Sequence, residues 1–179
     1  MRRIVFFLCF VCVMAGLAAA QSMPPNEVFG GFSYERLLQS NLDGWHGALT
    51  HSFTDVWGIT GEIAGHYGSG ISSESFLGGP EIHYRMEKVK PFGHFLMGID
   101  HVSAGGDGST SFAVGFGGGL DVTFAKNIAF RIGELDYLHT NHFDTGQNGV
   151  RFSTGVVFSF GGESRTRSGR GTHRSTGGY

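Results

Sequence analysis

The sequence predicts an all-β fold of eight antiparallel strands, and three observations lead to it. Glycine supplies 31 of the 179 residues and phenylalanine 17, whereas charged residues make up only 16%. This composition is poor in helix-forming residues and rich in aromatic residues that favour strands. From residue 28 onward, apolar residues alternate with small or polar ones at a period of two, the period of a strand. Clusters of Gly, Ser, Asp and Asn divide the alternation into eight runs.

The connections between the runs alternate in length. The predicted strands span residues 27–37, 44–53, 56–67, 75–84, 90–102, 111–124, 128–139 and 149–160. The connections after strands one, three, five and seven read LQSNLD, GSGISSE, SAGGDGST and TNHFDTGQN, and the other three read TD, RMEKV and AKN. Alternating long and short connections are typical of a membrane barrel with long external loops and short periplasmic turns. An even strand count then places both chain ends on the periplasmic side.

The two faces of each strand favour a membrane barrel over a soluble one. In the sixth strand one face carries large apolar residues, among them Phe112, Phe116 and Phe124, while the other carries Ala, Gly, Asp and Thr. A soluble barrel would place the large apolar face in its core and a lysine-rich face outside, but the chain has only three lysines. Lipid accepts the apolar face, and a narrow lumen accepts the small one. The sequence therefore predicts an up-and-down transmembrane β-barrel.

Both ends of the chain differ from this central region. Arg2 and Arg3 precede an apolar run at residues 4–17 and three alanines, the pattern of a cleaved secretory signal peptide. We predict a signal peptide at residues 1–20, a barrel at 21–160 and a disordered Gly/Ser/Arg-rich tail at 161–179. Both cysteines lie in the signal peptide, so we expect no disulfide in the mature chain. The barrel region has seven Lys and Arg against 14 Asp and Glu, which does not predict a nucleic-acid partner.

Several motifs resemble one known family. The run from Val150 to Phe160 alternates strictly and ends on an aromatic residue, and further matches lie at 89–94, 117–122 and 131–137. On these motifs, residues 27–160 resemble the small bacterial outer-membrane β-barrels, the eight-stranded OmpA/OmpX-like group. The resemblance implies a monomer in the outer membrane, in contact with lipid and lipopolysaccharide. It also implies insertion by the barrel-assembly machinery through a terminal signal at Phe158 and Phe160, here followed by 19 further residues.

Charged residues on the small faces are expected to pair inside the barrel, because a confined charge loses solvation that only a partner or water returns. In the seventh strand, the register that puts Arg131 in the lumen would turn Glu134 and Asp136 toward lipid. We therefore predict a β-bulge within residues 132–134, where Gly133 could adopt a positive φ. The predicted lumen charge cluster comprises Glu62, Glu81, Arg85, Arg131, Glu134, Asp136 and Arg151.

Aromatic residues near the strand ends are expected to form two girdles at the membrane interfaces. Tryptophan and tyrosine are enriched at that level because their rings have an apolar body and a polar edge. The predicted girdle residues are Trp45, Trp57, Tyr67, Tyr84, Phe92, Phe124 and Tyr137.

Two groups of residues have the identities of chemical sites. His101 and Ser103 form an H-x-S pair similar to that of lipid A deacylases, but no carboxylate follows Ser103 at the distance that pattern requires. His139, His142 and Asp144 could ligate a metal, yet a tetrahedral site needs three or four positioned ligands. We therefore predict no catalytic site, cofactor or metal.

The predicted function is structural. Eight strands enclose an interior just wide enough for side chains to fill, which argues against an open channel. We expect a role in envelope integrity or in surface adhesion. A narrow gated pore for small solutes is the alternative, and a lipid A-modifying barrel enzyme is the third hypothesis.

Overall fold

The computed structural model describes residues 25–37, 40–68, 70–142 and 145–161. Each strand pairs antiparallel with the next, and β8 pairs with β1, so the sheet closes. The predicted eight-stranded up-and-down barrel is thereby confirmed. No helix among the described residues has the length and hydropathy of a membrane span. The predicted signal peptide and, beyond Gly161, the predicted tail lie outside the described residues. The strands are β1 (Asn26–Leu37), β2 (Ser40–Ser52), β3 (Trp57–Gly68), β4 (Ile71–His83), β5 (Val89–Ala104), β6 (Asp107–Ala125), β7 (Ile128–His142) and β8 (Thr145–Phe160).

The strands extend further than the sequence predicts at one end of the barrel. We call the end that holds Asn26 and Phe160 the terminal rim, and the opposite end the loop rim. At the loop rim only two residues separate the paired strands, because β2, β4, β6 and β8 each begin four residues earlier than predicted. At Gly105 and Gly106, φ angles of 62° and 98° allow a two-residue hairpin. The prediction of long loops is wrong, since backbone pairing continues through these Ser- and Gly-rich segments.

Most large apolar side chains face outward, and the inward positions carry mainly small, polar or charged residues. Phe76 is 56% exposed and Phe116 59%, although both lie in the middle of the sheet. Phe92 is only 7% exposed and points inward, so its assignment to a girdle is wrong. It lies two residues from the inward-facing Lys90 and His94, and strand alternation places all three on one face. The other six predicted girdle residues are exposed on the outer surface: Trp45, Trp57, Tyr67, Tyr84, Phe124 and Tyr137.

The predicted bulge in β7 is confirmed. Leu120 and Asp121 of β6 pair with Gly133 and Arg131, so one extra residue is inserted in β7. The same irregularity interrupts the pairing of β7 with β8. As a result, Glu134 and Asp136 turn into the lumen, each 1% exposed. The expected positive φ is wrong, because Gly133 does not adopt one. A side chain at this position would instead be crowded, since its Cβ atom would lie only 3.0 Å from the Phe152 ring.

Strand packing at Gly98 leaves no room for a side chain. A Cβ atom there would lie 2.0 Å from the carbonyl oxygen of Phe76. We expect Gly98→Ala to lower the free energy of unfolding by about 1 to 3 kcal/mol, the usual cost of overpacking. Gly61→Ala is the matched control, because no atom lies within 4 Å of a Cβ at that position. Urea titration of the refolded variants measures the difference, and equal midpoints would contradict this account of the sheet.

Candidate functional site

The bulge in β7 places an arginine across the lumen near the terminal rim. Arg131 Nε donates to Asp121 Oδ1 at 2.8 Å, and its Nη1 donates to Glu134 Oε2 at 2.5 Å. The guanidinium carbon lies 4.3 Å from the ring centroid of Phe29 and 4.1 Å from that of Phe92. Arg131 is therefore held by two carboxylates and two aromatic faces, a stable arrangement for a buried cation.

A second arginine joins three strands at the centre of the lumen. Arg151 is fully buried, at 0% exposure. Its Nη2 donates to Glu62 Oε2 at 2.5 Å and to Asp136 Oδ2 at 2.7 Å, and its Nε donates to Asp136 Oδ2 at 2.9 Å. These contacts link β8 to β3 and β7. Removal of Arg151 is expected to destabilise the barrel, because two buried carboxylates would lose their cation.

The two remaining members of the predicted cluster have other partners. Glu81 is buried, accepts a hydrogen bond from Thr50 Oγ1 at 3.3 Å and lies 3.2 Å from His83 Nδ1. Arg85 Nη2 lies 3.2 Å from Glu27 Oε1, which belongs to β1. Lys90 contacts the same Glu27 and lies 3.2 Å from Asp121. Glu81 and Arg85 both face the lumen, and Arg85 is connected to Arg131 through Glu27, Lys90 and Asp121.

Four buried histidines complete the lumen, and sequence reasoning missed all of them. Each has a ring nitrogen between 2.8 and 3.2 Å from a carboxylate oxygen. Strand alternation could have found them, because each lies on the small face of its strand. The pairs are His46 with Glu62 at 3.2 Å, His66 with Glu35 at 2.9 Å, His83 with Glu81 at 3.2 Å and His94 with Asp136 at 2.8 Å.

Apolar side chains also pack in the lumen, beside the carboxylates of Glu35 and Asp100. Leu77, Leu96, Ala113 and Leu138 form one buried cluster. A cavity beside this cluster, lined by Leu77 and Leu138 among others, has a volume of only about 10 Å³, room for about one water. A wider cavity of about 350 Å³ lies at the terminal rim, beside Lys90. The lumen therefore opens as a shallow vestibule at the terminal rim and is packed beyond it.

The H-x-S pair lies on the outer surface of β5 near the loop rim. Ser103 Oγ is 3.2 Å from His101 Nε2, a distance suited to a nucleophile and a base. His101 Nδ1, however, lies 2.7 Å from the hydroxyl of Thr110. A hydroxyl occupies the position where a Ser-His-acid triad has its carboxylate.

The group of His139, His142 and Asp144 lies mostly outside the described part of the chain. His139 Nδ1 lies 2.7 Å from Asn148 Oδ1 on the exposed surface. The side chain of His142 and all of Asp144 lie outside the described part of the chain.

This closed barrel, with an apolar exterior and a charged interior, has the fold of the small bacterial outer-membrane β-barrels. Neisserial surface protein A has a similar structure, with a TM-score of 0.57 and 13% identity over 75% of this chain and 96% of that protein. The N-terminal β-barrel domain of OprF from Pseudomonas aeruginosa gives a TM-score of 0.53 and 14% identity, over 77% of this chain and 99% of that domain. No protein-family model and no curated protein sequence matched the chain.

Proposed function

We propose that this barrel spans a bacterial outer membrane as a closed, structural element of the envelope. The observation that carries the proposal is the distribution of side chains: most apolar rings point outward, whereas the buried charges point into the lumen. An apolar band around a whole molecule would make it aggregate in water. In a bilayer the same band contacts acyl chains, and the closed sheet satisfies the backbone hydrogen bonds.

The orientation and partners follow from the same proposal. An even number of strands returns the chain to the side on which it begins, so we place the terminal rim in the periplasm. Outer-membrane lipid and lipopolysaccharide would surround the barrel, which would act as a monomer. We favour a structural role over adhesion, because the two-residue connections at the loop rim offer little surface for a partner.

Planar-bilayer recording separates a closed barrel from a pore. We expect the refolded protein to show no steady single-channel conductance, because side chains fill the lumen. These are Arg151, Arg131 with the two aromatic rings beside it, and the leucine cluster around Leu96. Arg131→Ala removes the side chain that lies between two aromatic rings, and we expect it to raise the current. A stable open channel in the unaltered protein would contradict the proposal and favour the gated pore.

We propose no catalytic role for His101 and Ser103. Without a carboxylate to orient the imidazole, a serine and a histidine alone lack part of the machinery that acyl transfer uses. Mass spectrometry of lipid A from cells that produce the protein or its Ser103→Ala variant should show the same number of acyl chains. Loss of an acyl chain only with the unaltered protein would overturn this view and favour the lipid A-modifying enzyme.

We propose that the assembly machinery recognises the aromatic end of β8. Phe158 and Phe160 are 50% and 39% exposed on the outer face, and their ring centroids lie 6.4 Å apart. Phe160→Ala is expected to reduce the heat-modifiable barrel in outer-membrane fractions far more than deletion of residues 161–179. Phe124→Ala, another exposed ring near the terminal rim, is the matched control. Equal losses from Phe160→Ala and from the deletion would place the recognition signal elsewhere.

A further inference from the structure

The lumen carries more negative than positive charge. Four basic side chains face it, Arg85, Lys90, Arg131 and Arg151, and they oppose eight carboxylates, which leaves a formal excess of four negative charges among the described residues. Buried charge of one sign is unfavourable unless a counter-ion or proton balances it. The carboxylates are Glu27, Glu35, Glu62, Glu81, Asp100, Asp121, Glu134 and Asp136.

Part of this negative charge converges with two imidazoles at the centre of the barrel. His46, Glu62 and Glu134 each offer one ligand atom within 4.8 Å of the others. His94 and Asp136 form a second such group with the same Glu134. The donors come from β2, β3, β5 and β7, so the closed barrel holds them from several sides.

The two arginines bond one oxygen of each of these carboxylates. Arg151 bonds Glu62 Oε2 and Asp136 Oδ2, and Arg131 bonds Glu134 Oε2. His94 faces the second oxygens, with Nδ1 3.6 Å from Glu62 Oε1 and Nε2 2.8 Å from Asp136 Oδ1. His46 Nε2 lies 3.2 Å from Glu62 Oε2, the oxygen that Arg151 also bonds. Hydrogen bonds such as those from the two arginines orient carboxylates that ligate a metal.

One carboxylate oxygen of this group has no hydrogen-bond partner. Glu134 Oε1 is completely buried and lies 3.9 Å from His46 Nδ1, too far for a hydrogen bond. An unpaired carboxylate oxygen buried in a protein is costly. A cation between Glu134 and His46 would satisfy it and would lower the excess negative charge of the lumen.

We propose that the centre of the lumen is a binding site for one divalent transition-metal ion such as Zn²⁺. His46, Glu62 and Glu134 supply the ligands, and His94 and Asp136 adjoin them through the shared Glu134. Imidazole nitrogen and carboxylate oxygen together suit zinc-like ions better than Mg²⁺ or Ca²⁺, which prefer oxygen alone. Along β5 the site at His94 lies between the inward-facing Phe92 and Leu96. The ion therefore enters while the barrel folds.

Metal retention after refolding tests this site. The unfolded chain is refolded with ZnCl₂ or with chelator, desalted, and its zinc measured by elemental mass spectrometry. We expect one zinc per folded chain. His46→Gln and Glu134→Gln should weaken retention by at least the roughly 10- to 100-fold that loss of an outer partner of a metal site costs. His66→Gln, which alters a similar buried pair with Glu35, is the matched control and should retain the metal.

Heat-modifiable gel migration shows whether each variant has folded, and Co²⁺ gives a readout that needs no variant. Cobalt bound by nitrogen and oxygen ligands should produce visible d–d absorption in the unaltered barrel that excess Zn²⁺ removes. Zinc no higher than in His46→Gln, the same loss of zinc in His66→Gln, or no cobalt band would each overturn the proposal.

Discussion

Arg151→Met is expected to cost the barrel about 3 to 5 kcal/mol of unfolding free energy, the usual effect of removing one partner of a buried ion pair. The methionine would leave Glu62 and Asp136 without the cation that they share at 2.5 and 2.7 Å. Adding Glu62→Gln to Arg151→Met should recover part of the loss, because one uncompensated charge is removed. Urea titration of the barrel refolded in detergent, followed by tryptophan fluorescence, measures both effects.

Arg36→Met is the control for Arg151→Met. Arg36 is exposed on β1, and substitutions of exposed charged residues usually change stability by less than about 0.5 kcal/mol. If the two methionine variants unfold at the same urea concentration, the central arginine does not stabilise the barrel from inside.

Ile63→Lys is expected to cost about 2 to 4 kcal/mol in lipid, the penalty of a basic side chain on the lipid face near the midplane. Ile63 is 44% exposed in the middle of β3 and pairs with Phe76 of β4. On a water-exposed surface the same change would cost little, because lysine would be hydrated. The variant therefore distinguishes lipid from water outside the barrel.

Val56→Lys is the depth control for Ile63→Lys. Val56 is 46% exposed and lies at the terminal rim, directly before β3. A lysine near the interface costs only about 0 to 1 kcal/mol. Equal effects of the two lysines on refolding in lipid vesicles would contradict a bilayer centred on the barrel.

The fold was predictable because its pattern has a period of two and repeats in every strand. The bulge near Gly133 was predictable for a related reason: only a register change keeps Glu134 and Asp136 out of lipid. The strand ends at the loop rim were not predictable, because Ser- and Gly-rich residues such as 107–111 have loop-like composition yet pair regularly with β5. Hairpin closure and pairing with the neighbouring strand extend the strands beyond their local preference.

The lumen was predictable as a set of charges but not as a network. Arg131 and Arg151 have unambiguous inward positions, yet their partners depend on how eight strands meet across the barrel. His46 and His94 were missed because histidine as a residue type also fits loops and interfaces, although strand alternation places both on the small face. Phe92 was misplaced because ring size suggested a girdle, whereas its alternation with Lys90 and His94 indicated the interior.

The chain has two tryptophans, and both report on what surrounds the barrel. Trp45 is 46% exposed and Trp57 42%, and both point outward. In vesicles, lipids brominated on their acyl chains should quench this fluorescence strongly, while acrylamide in the water should quench it weakly. Strong quenching by acrylamide with none from brominated lipid would show that the apolar face meets water and would contradict a membrane-spanning barrel.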